Sequence, residues 1–228
     1  MPIYGIHVTP VKQSLRRNGG CVNTGRLAHG LMARHGRAAG TMQRKSRNMT
    51  RLLILRHAAP LTGGRLAGRR DVDADCSDAA AFDWIRARIG QIGHVLSSPA
   101  RRCLQTAEAL SMPPHATSEA LWEQDYGAWE GLAYGDLPDL GPLPPARLAQ
   151  HRPDGGESFD DMAARVLTEL RGIDRDTLIV GHAGTVRAAL SMVVGPAALS
   201  FAVAPLSLTV LRRAGDEWAV EFVNVTAP

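Results

Sequence analysis

Leu52-Leu53-Ile54-Leu55-Arg56-His57-Ala58-Ala59-Pro60 is the stretch that decides how the rest of the chain is read. Its four apolar residues form a short buried strand, too short to stand as a helix. Arg56 and His57 close the strand. Ala58-Ala59-Pro60 then turns the chain away, because proline cannot continue a β-ladder. Open α/β sheets bind their ligands beyond the carboxyl ends of the strands. A guanidinium and an imidazole at such an end suit an anionic substrate, although a basic pair closing a strand in solvent would read the same way on its own.

The same design returns downstream. Thr177-Leu178-Ile179-Val180-Gly181 is a second buried strand; it ends at His182, and a helix follows through Arg187, Leu190 and Val193. A helix N-terminus directly after His182 favours anions. Between the two, His94-Val95-Leu96-Ser97-Ser98 reads as a strand that Pro99 ends. That proline opens a helix at about 100–110, with Leu104, Ala107 and Ala109 or Leu110 toward the sheet. Arg101 and Arg102 sit in its first turn, where the helix dipole disfavours a cation by a few tenths of a kcal/mol. A bound anion would reverse that sign. Two more helices follow from periodicity. One spans roughly 79–89, with Ser77 or Asp78 as N-cap and Phe82, Ile85 and Ile89 on one face. The other runs from a Ser158 cap to about Arg171, with Phe159, Met162, Ala163, Val166, Leu167 and Leu170 as its apolar stripe. Residues 207–212 and 218–225 complete the sheet. Strand and helix alternate, so the expected fold class is α/β, a three-layer α/β/α sandwich with a central, mostly parallel sheet.

The loops carry chemistry of their own. Thr62–Arg70 is flexible and basic. Asp71, Asp73 and Asp75 begin like a calcium loop, but Cys76 stands where the required glycine belongs and Phe82 where the glutamate belongs. Leu121-Trp122-Glu123-Gln124-Asp125-Tyr126-Gly127-Ala128-Trp129-Glu130-Gly131 mixes carboxylates, aromatics and glycines without period, as an ordered loop over a site does. A carboxylate set among bulky apolar groups is a candidate general acid. The proline-rich residues 135–156 read as an irregular, lid-like insertion with one short helix near 145–150.

Charge is distributed unevenly. Residues 1–48 hold nine basic residues and no acid, which leaves 17 basic against 22 acidic residues beyond them, a net charge of −5. The expected folded domain, 49–228, is therefore mildly acidic despite the overall +4, and a broad nucleic-acid footprint is not expected. Residues 1–48 are expected to be a disordered basic extension, through an upstream start before Met49 or as an organellar targeting segment. Arg34-His35-Gly36 lies there without a β-rich run before it and is treated as a decoy. No apolar run approaches the ~18 residues of a membrane span. Cys21, Cys76 and Cys103 read as free thiols in a reducing, cytoplasmic setting, with neither a disulfide framework nor a zinc site.

Taken together, the chain resembles the histidine phosphatase superfamily, the phosphoglycerate-mutase-like group. Leu53-Ile54-Leu55-Arg56-His57 is similar to the strand and Arg-His of its signature. Ser97-Ser98-Pro99-Ala100-Arg101-Arg102-Cys103-Leu104-Gln105-Thr106-Ala107 resembles its second motif, in which Arg102 and not Arg101 takes the arginine's place. Leu121–Gly131 is similar to its acid segment, with Glu123 as the acid; Gly155-Gly156-Glu157-Ser158 and Val180-Gly181-His182-Ala183-Gly184 also fit. The resemblance covers about Arg51 to the C-terminus. Ala58 replaces the usual glycine and Ala59-Pro60 the common acid–threonine, which bears on the phosphate contacts of that loop. The Arg-His-Ala-Pro start, Gly68-Arg69-Arg70-Asp71-Val72-Asp73 and Glu123–Trp129 look most like the α-ribazole-phosphate phosphatase branch, associated with cobalamin synthesis.

The resemblance implies two-step phosphoryl transfer. Neutral His57 attacks phosphorus, Arg56, Arg102 and His182 neutralise the equatorial oxygens, and Glu123 protonates the leaving alkoxide and then activates water. It implies no metal and no cofactor. The expected partner is a small phosphorylated substrate such as α-ribazole 5′-phosphate, with no nucleic acid and no membrane. The alternatives are a broad sugar or nucleotide phosphatase, a phosphoglycerate-mutase-type phosphotransferase, a phosphohistidine-protein phosphatase and a non-catalytic phospho-ligand binding protein.

Overall fold

The computed structural model describes residues 49–228. The expected extension over 1–48, with its Arg34-His35-Gly36, lies outside the described residues. Strand β1 (Met49–Arg56) is the axis of the sheet. Successive side chains of a strand point to opposite faces. Leu52 and Ile54 therefore enter one core, while Leu53 and Leu55 enter another. Both faces are covered, which is why this run is continuously apolar instead of alternating. Each leucine so buried contributes roughly 1.5–3 kcal/mol.

Helices α1 (Ala79–Ile89) and α2 (Arg101–Ala109) cover the Leu53 face. Helices α3 (Pro145–Gln150), α4 (Phe159–Gly172) and α5 (Ala183–Val194) belong to the Leu52 face. The remaining strands are β2 (Val95–Ser97), β3 (Ala116–Thr117), β4 (Thr177–Gly181), β5 (Leu208–Ala214) and β6 (Glu217–Val225). They lie in the order β3-β2-β4-β1-β5-β6. The first four strands run parallel; β5 pairs antiparallel with β1, and β6 antiparallel with β5. This is the expected α/β/α sandwich on a mixed, mostly parallel sheet.

The helix starts follow their sequence signals. The Asp78 carboxylate accepts from the Ala81 N–H at 3.0 Å and caps α1. Ser158 and Asp161 form a reciprocal capping box on α4. Two expectations are corrected. Leu104 is only half-buried, and the buried stripe of α2 is Cys103, Thr106, Ala107 and, just past its end, Leu110. The helix is turned by about one residue because Arg102, not an apolar side chain, is driven inward. The insertion at 135–156 is only partly lid-like, since Leu148 and Ala149 of α3 are buried in the core shared with α4 and α5. Ala183–Ser200 is long and apolar enough to cross a membrane by composition, but half of it is buried inside the domain, as in a core helix.

Candidate active site

Parallel pairing sets the level of the site. Arg56 is in register with Gly181, and Ser97 with Val180. Strands β1, β4 and β2 therefore end side by side, and the residues just beyond them converge. The His57 N–H donates to the Gly181 carbonyl at 2.9 Å, and the Ser98 N–H to that of Val180 at 2.9 Å. The rings of His57 and His182 meet edge to face with centroids 5.2 Å apart.

His57 is 3% exposed. Its Nδ1 lies 2.6 Å from the carbonyl oxygen of Ala58. A carbonyl can only accept, so Nδ1 carries the proton and Nε2 keeps its lone pair. Burial, then the charges of Arg56 and Arg102, hold the imidazole pKa well below its ordinary value, so the ring is neutral at pH 7. The Ala58 N–H is engaged by the Thr106 hydroxyl at 2.9 Å, and its methyl group packs in the α1–α2 core. Ala58 thus contributes to packing on that face.

Arg102 is 1% exposed. Its guanidinium donates to the carbonyls of Arg70 at 3.0 Å and Gly68 at 2.7 Å, and to His182 Nδ1 at 3.2 Å. The basic loop holds the arginine through its backbone, which no composition argument would suggest. A guanidinium can only donate, so His182 accepts at Nδ1 and carries its proton on Nε2. That Nε2–H lies 2.9 Å from Ser98 Oγ. Burial, followed by the charge of Arg102, holds the His182 pKa well below the usual imidazole value. Behind it lies Cys103, whose thiol burial pushes up to about 12, an inert packing group. Trp122 stacks on His182 at 6.4 Å.

Arg101 faces away, as its place in the motif implied. It pairs with Asp73 at 2.6 Å, and its N–H is accepted by Asp71 at 2.8 Å. Asp75 instead accepts from Ser77. Two of the three acids of the calcium-like run therefore meet Arg101, and the third turns to Ser77. Arg56 donates to the Val203 carbonyl through Nη1, while its buried Nε has no partner among the described residues. Burial lowers its pKa.

Glu123 completes the group. It is 9% exposed, and its carboxylate accepts from the N–H of Gly184, in the first turn of α5, at 3.3 Å. Its backbone is clamped by Arg165, which the sequence reading did not single out. Arg165 donates to the carbonyls of Ala120, Trp122 and Glu123 at 2.7–2.9 Å. It also forms a two-pronged pair with Glu157 at 3.0 and 2.8 Å. Burial opposes ionisation of Glu157, but the bonds from Arg165 and the Asp125 N–H outweigh it and hold the carboxyl below its usual range. The acid loop is also zipped to residues 154–157: Ala128 N–H donates to Asp154 O and Glu157 N–H to Asp125 O. Gly127 has a φ of +50°, and a side chain there would meet Asp154 O at 2.2 Å, so the close approach demands glycine. The five residues singled out from the sequence, Arg56, His57, Arg102, Glu123 and His182, are thus gathered in one place.

The sequence profile of the histidine phosphatase superfamily (branch 1) matches residues 31–226. A bifunctional protein of Mycobacterium tuberculosis is 37% identical over 147 residues, which is 59% of this chain and 39% of that protein. The 6-phosphofructo-2-kinase/fructose-2,6-bisphosphatase 4 of Rattus norvegicus is 32% identical over 145 residues, 58% of this chain and 30% of its own. The chain thus spans less than half the length of both curated relatives. Among solved structures, one described as mycobacterial hydrolase 1 superposes with a TM-score of 0.66 at 25% identity, over 78% of this chain and all of that one. A protein of Thermus thermophilus superposes with a TM-score of 0.61 at 26% identity, over 71% of this chain and 93% of its own.

Proposed function

We propose that this chain, which belongs to the histidine phosphatase superfamily (branch 1), hydrolyses small phosphomonoesters without a metal through a phosphohistidine on His57. The observation that carries this reading is the Nδ1 contact to Ala58 O, which leaves a buried, neutral imidazole with its Nε2 lone pair free. In the first step Nε2 forms an N–P bond as the ester P–O bond breaks. The departing oxygen takes its electron pair and receives a proton from Glu123. In the second step Glu123 takes a proton from water, whose oxygen attacks phosphorus; the N–P bond breaks and neutral His57 and orthophosphate remain. Arg56 and Arg102 offset the charge on the equatorial oxygens. His182 holds Arg102 in place. In the free site it does so by accepting at Nδ1; an arriving dianion raises its proton affinity, and a proton then taken from solvent at Nδ1 turns that nitrogen from acceptor of the Arg102 bond into donor to the same oxygens.

The likeness of the Gly68–Asp73 loop and of Glu123–Trp129 to the α-ribazole-phosphate phosphatase branch supports α-ribazole 5′-phosphate as a first substrate to assay. The reading is tested by orthophosphate release in EDTA from that compound, sugar phosphates, nucleotides and p-nitrophenyl phosphate, with His57→Ala as control. His57-dependent release is expected. Release that needs added metal, or that survives His57→Ala, overturns the reading.

A further inference from the structure

Glu130 lies near the end of the acid segment, and the chemistry above does not use it. It is half-buried just past the Gly127–Trp129 turn, and its N–H donates to the Gly127 carbonyl at 3.0 Å. Its Oε1 accepts from the N–H of Arg69 at 2.7 Å and from that of Tyr126 at 3.2 Å. One carboxylate oxygen thus joins the basic loop to the acid loop. Among the described residues no arginine lies within ion-pair distance of it. Its charge is spent on backbone N–H groups, in bonds about twice as strong as neutral ones. Gly68 is pressed against the same oxygen: its φ is +55°, and a Cβ there would stand 2.1 Å from Glu130 Oε1.

The Gly68 carbonyl and the Arg69 N–H belong to one peptide group, and in a planar trans peptide they point in opposite directions. Arg102 Nη2 donates to that carbonyl at 2.7 Å, while the N–H meets Glu130 at 2.7 Å. The peptide therefore lies between a buried cation and an anion, its dipole aligned with both, and each bond polarises the other. Arg102 itself has no carboxylate within ion-pair distance among the described residues. A buried charge needs compensation. A carboxylate in direct contact would supply it but would repel the phosphate that the guanidinium has to bind. One peptide away, Glu130 leaves the charge of Arg102 for the substrate and still fixes where it sits.

We propose that Glu130 is a positioning residue for Arg102: its carboxylate, acting through the Gly68–Arg69 peptide, holds the guanidinium in the place where it meets phosphate. The role of Arg102 in this rests on the phosphatase reading above.

p-Nitrophenyl phosphate reports on the phosphate seat, because its leaving group hardly needs Glu123. With it, Glu130→Ala lowers kcat/KM about 10- to 100-fold, and calorimetry shows orthophosphate binding weakened by at least about tenfold. Glu130→Gln keeps an oxygen for the Arg69 N–H and recovers at least about threefold of each loss. Glu130→Asp draws the carboxylate back by one methylene and loses nearly as much as Glu130→Ala; it replaces that variant if a thermal melt shows it unfolded. Double variants decide the route. In an Arg102→Ala background Glu130→Ala costs less than about threefold more, since the group it positions is gone, while in a Glu123→Ala background it costs its full factor. Losses that multiply in the Arg102→Ala background, or that vanish in the Glu123→Ala background, overturn the proposal and leave the phosphatase reading standing. If no substrate gives His57-dependent release, the phosphatase reading falls. The orthophosphate affinities still judge Glu130 in that case, and an affinity unchanged by Glu130→Ala overturns its role.

Discussion

Gly184→Ala places a methyl group where the carboxylate of Glu123 now lies. A Cβ at position 184 would stand 2.2 Å from Glu123 Oε1 and 2.9 Å from Met162 Cε. Ordinary contact begins near ~3.5 Å, so the carboxylate has to retreat by about 1 Å. Both obstructing atoms end flexible side chains, and alanine is about 1 kcal/mol better than glycine inside a helix, so the chain still folds. Catalysis does not share that tolerance. A displacement of about 1 Å costs roughly 10²-fold in rate. Loss of a general acid costs roughly 10²- to 10⁴-fold, or about 3–5 kcal/mol of barrier. The expected result is a fall in kcat of about 10²- to 10³-fold for an alkyl phosphate. For p-nitrophenyl phosphate, whose leaving group hardly needs a proton, the expected fall is under about tenfold. Steady-state release of phosphate and nitrophenolate measures both, and a thermal melt checks that the variant is folded. Equal losses on the two substrates in a folded variant would refute the assignment of Glu123 as the acid. No loss on either would refute its contact with Gly184.

Two further outcomes follow from burial. Arg102→Ala removes a buried guanidinium from His182 and two carbonyls and should lower kcat/KM by at least about 30-fold, whereas Arg101→Ala breaks only an exposed pair and should stay within about threefold; steady-state kinetics of the two neighbours compares them directly. Below about pH 6.5 the unfolded chain protonates His57 and His182 while the folded chain does not, so the unfolded state binds more protons and stability falls as the pH is lowered, until the depressed folded values are reached. Each histidine contributes a slope of up to about 1.4 kcal/mol per pH unit in that window, so denaturant unfolding of His57→Asn between pH 7 and 5.5 should show a shallower loss than the wild type.

Much of the fold was readable because β1 and β4 are short apolar runs that only a sheet covered on both faces can bury. The site followed from them, since parallel pairing brings whatever lies just past two such strands together. The register of α2 was misread by one residue because the periodic pattern gives no reason to bury an arginine, and the true stripe includes Cys103 and Thr106. Arg165 left only a faint mark in the sequence, a charge beside the apolar stripe of α4, three residues after Met162. Its task, clamping the backbone of the acid loop, exists only once α4 lies against residues 120–123. The grip of the basic loop on Arg102 was hidden for a similar reason. It runs through the carbonyls of Gly68 and Arg70, and side-chain identity does not encode which carbonyls face inward.

Covalent capture of phosphorus by His57 is the step on which the proposed chemistry depends. Rapid acid-free quenching during turnover of a substrate with a good leaving group, followed by peptide mass spectrometry under alkaline conditions, looks for it directly. A phosphoryl group on His57, labile to acid and stable to base, is expected to form within the first turnover and to accumulate when Glu123→Ala slows the attack of water. Turnover with no phosphohistidine at position 57, or with phosphate attached to another residue, would contradict it.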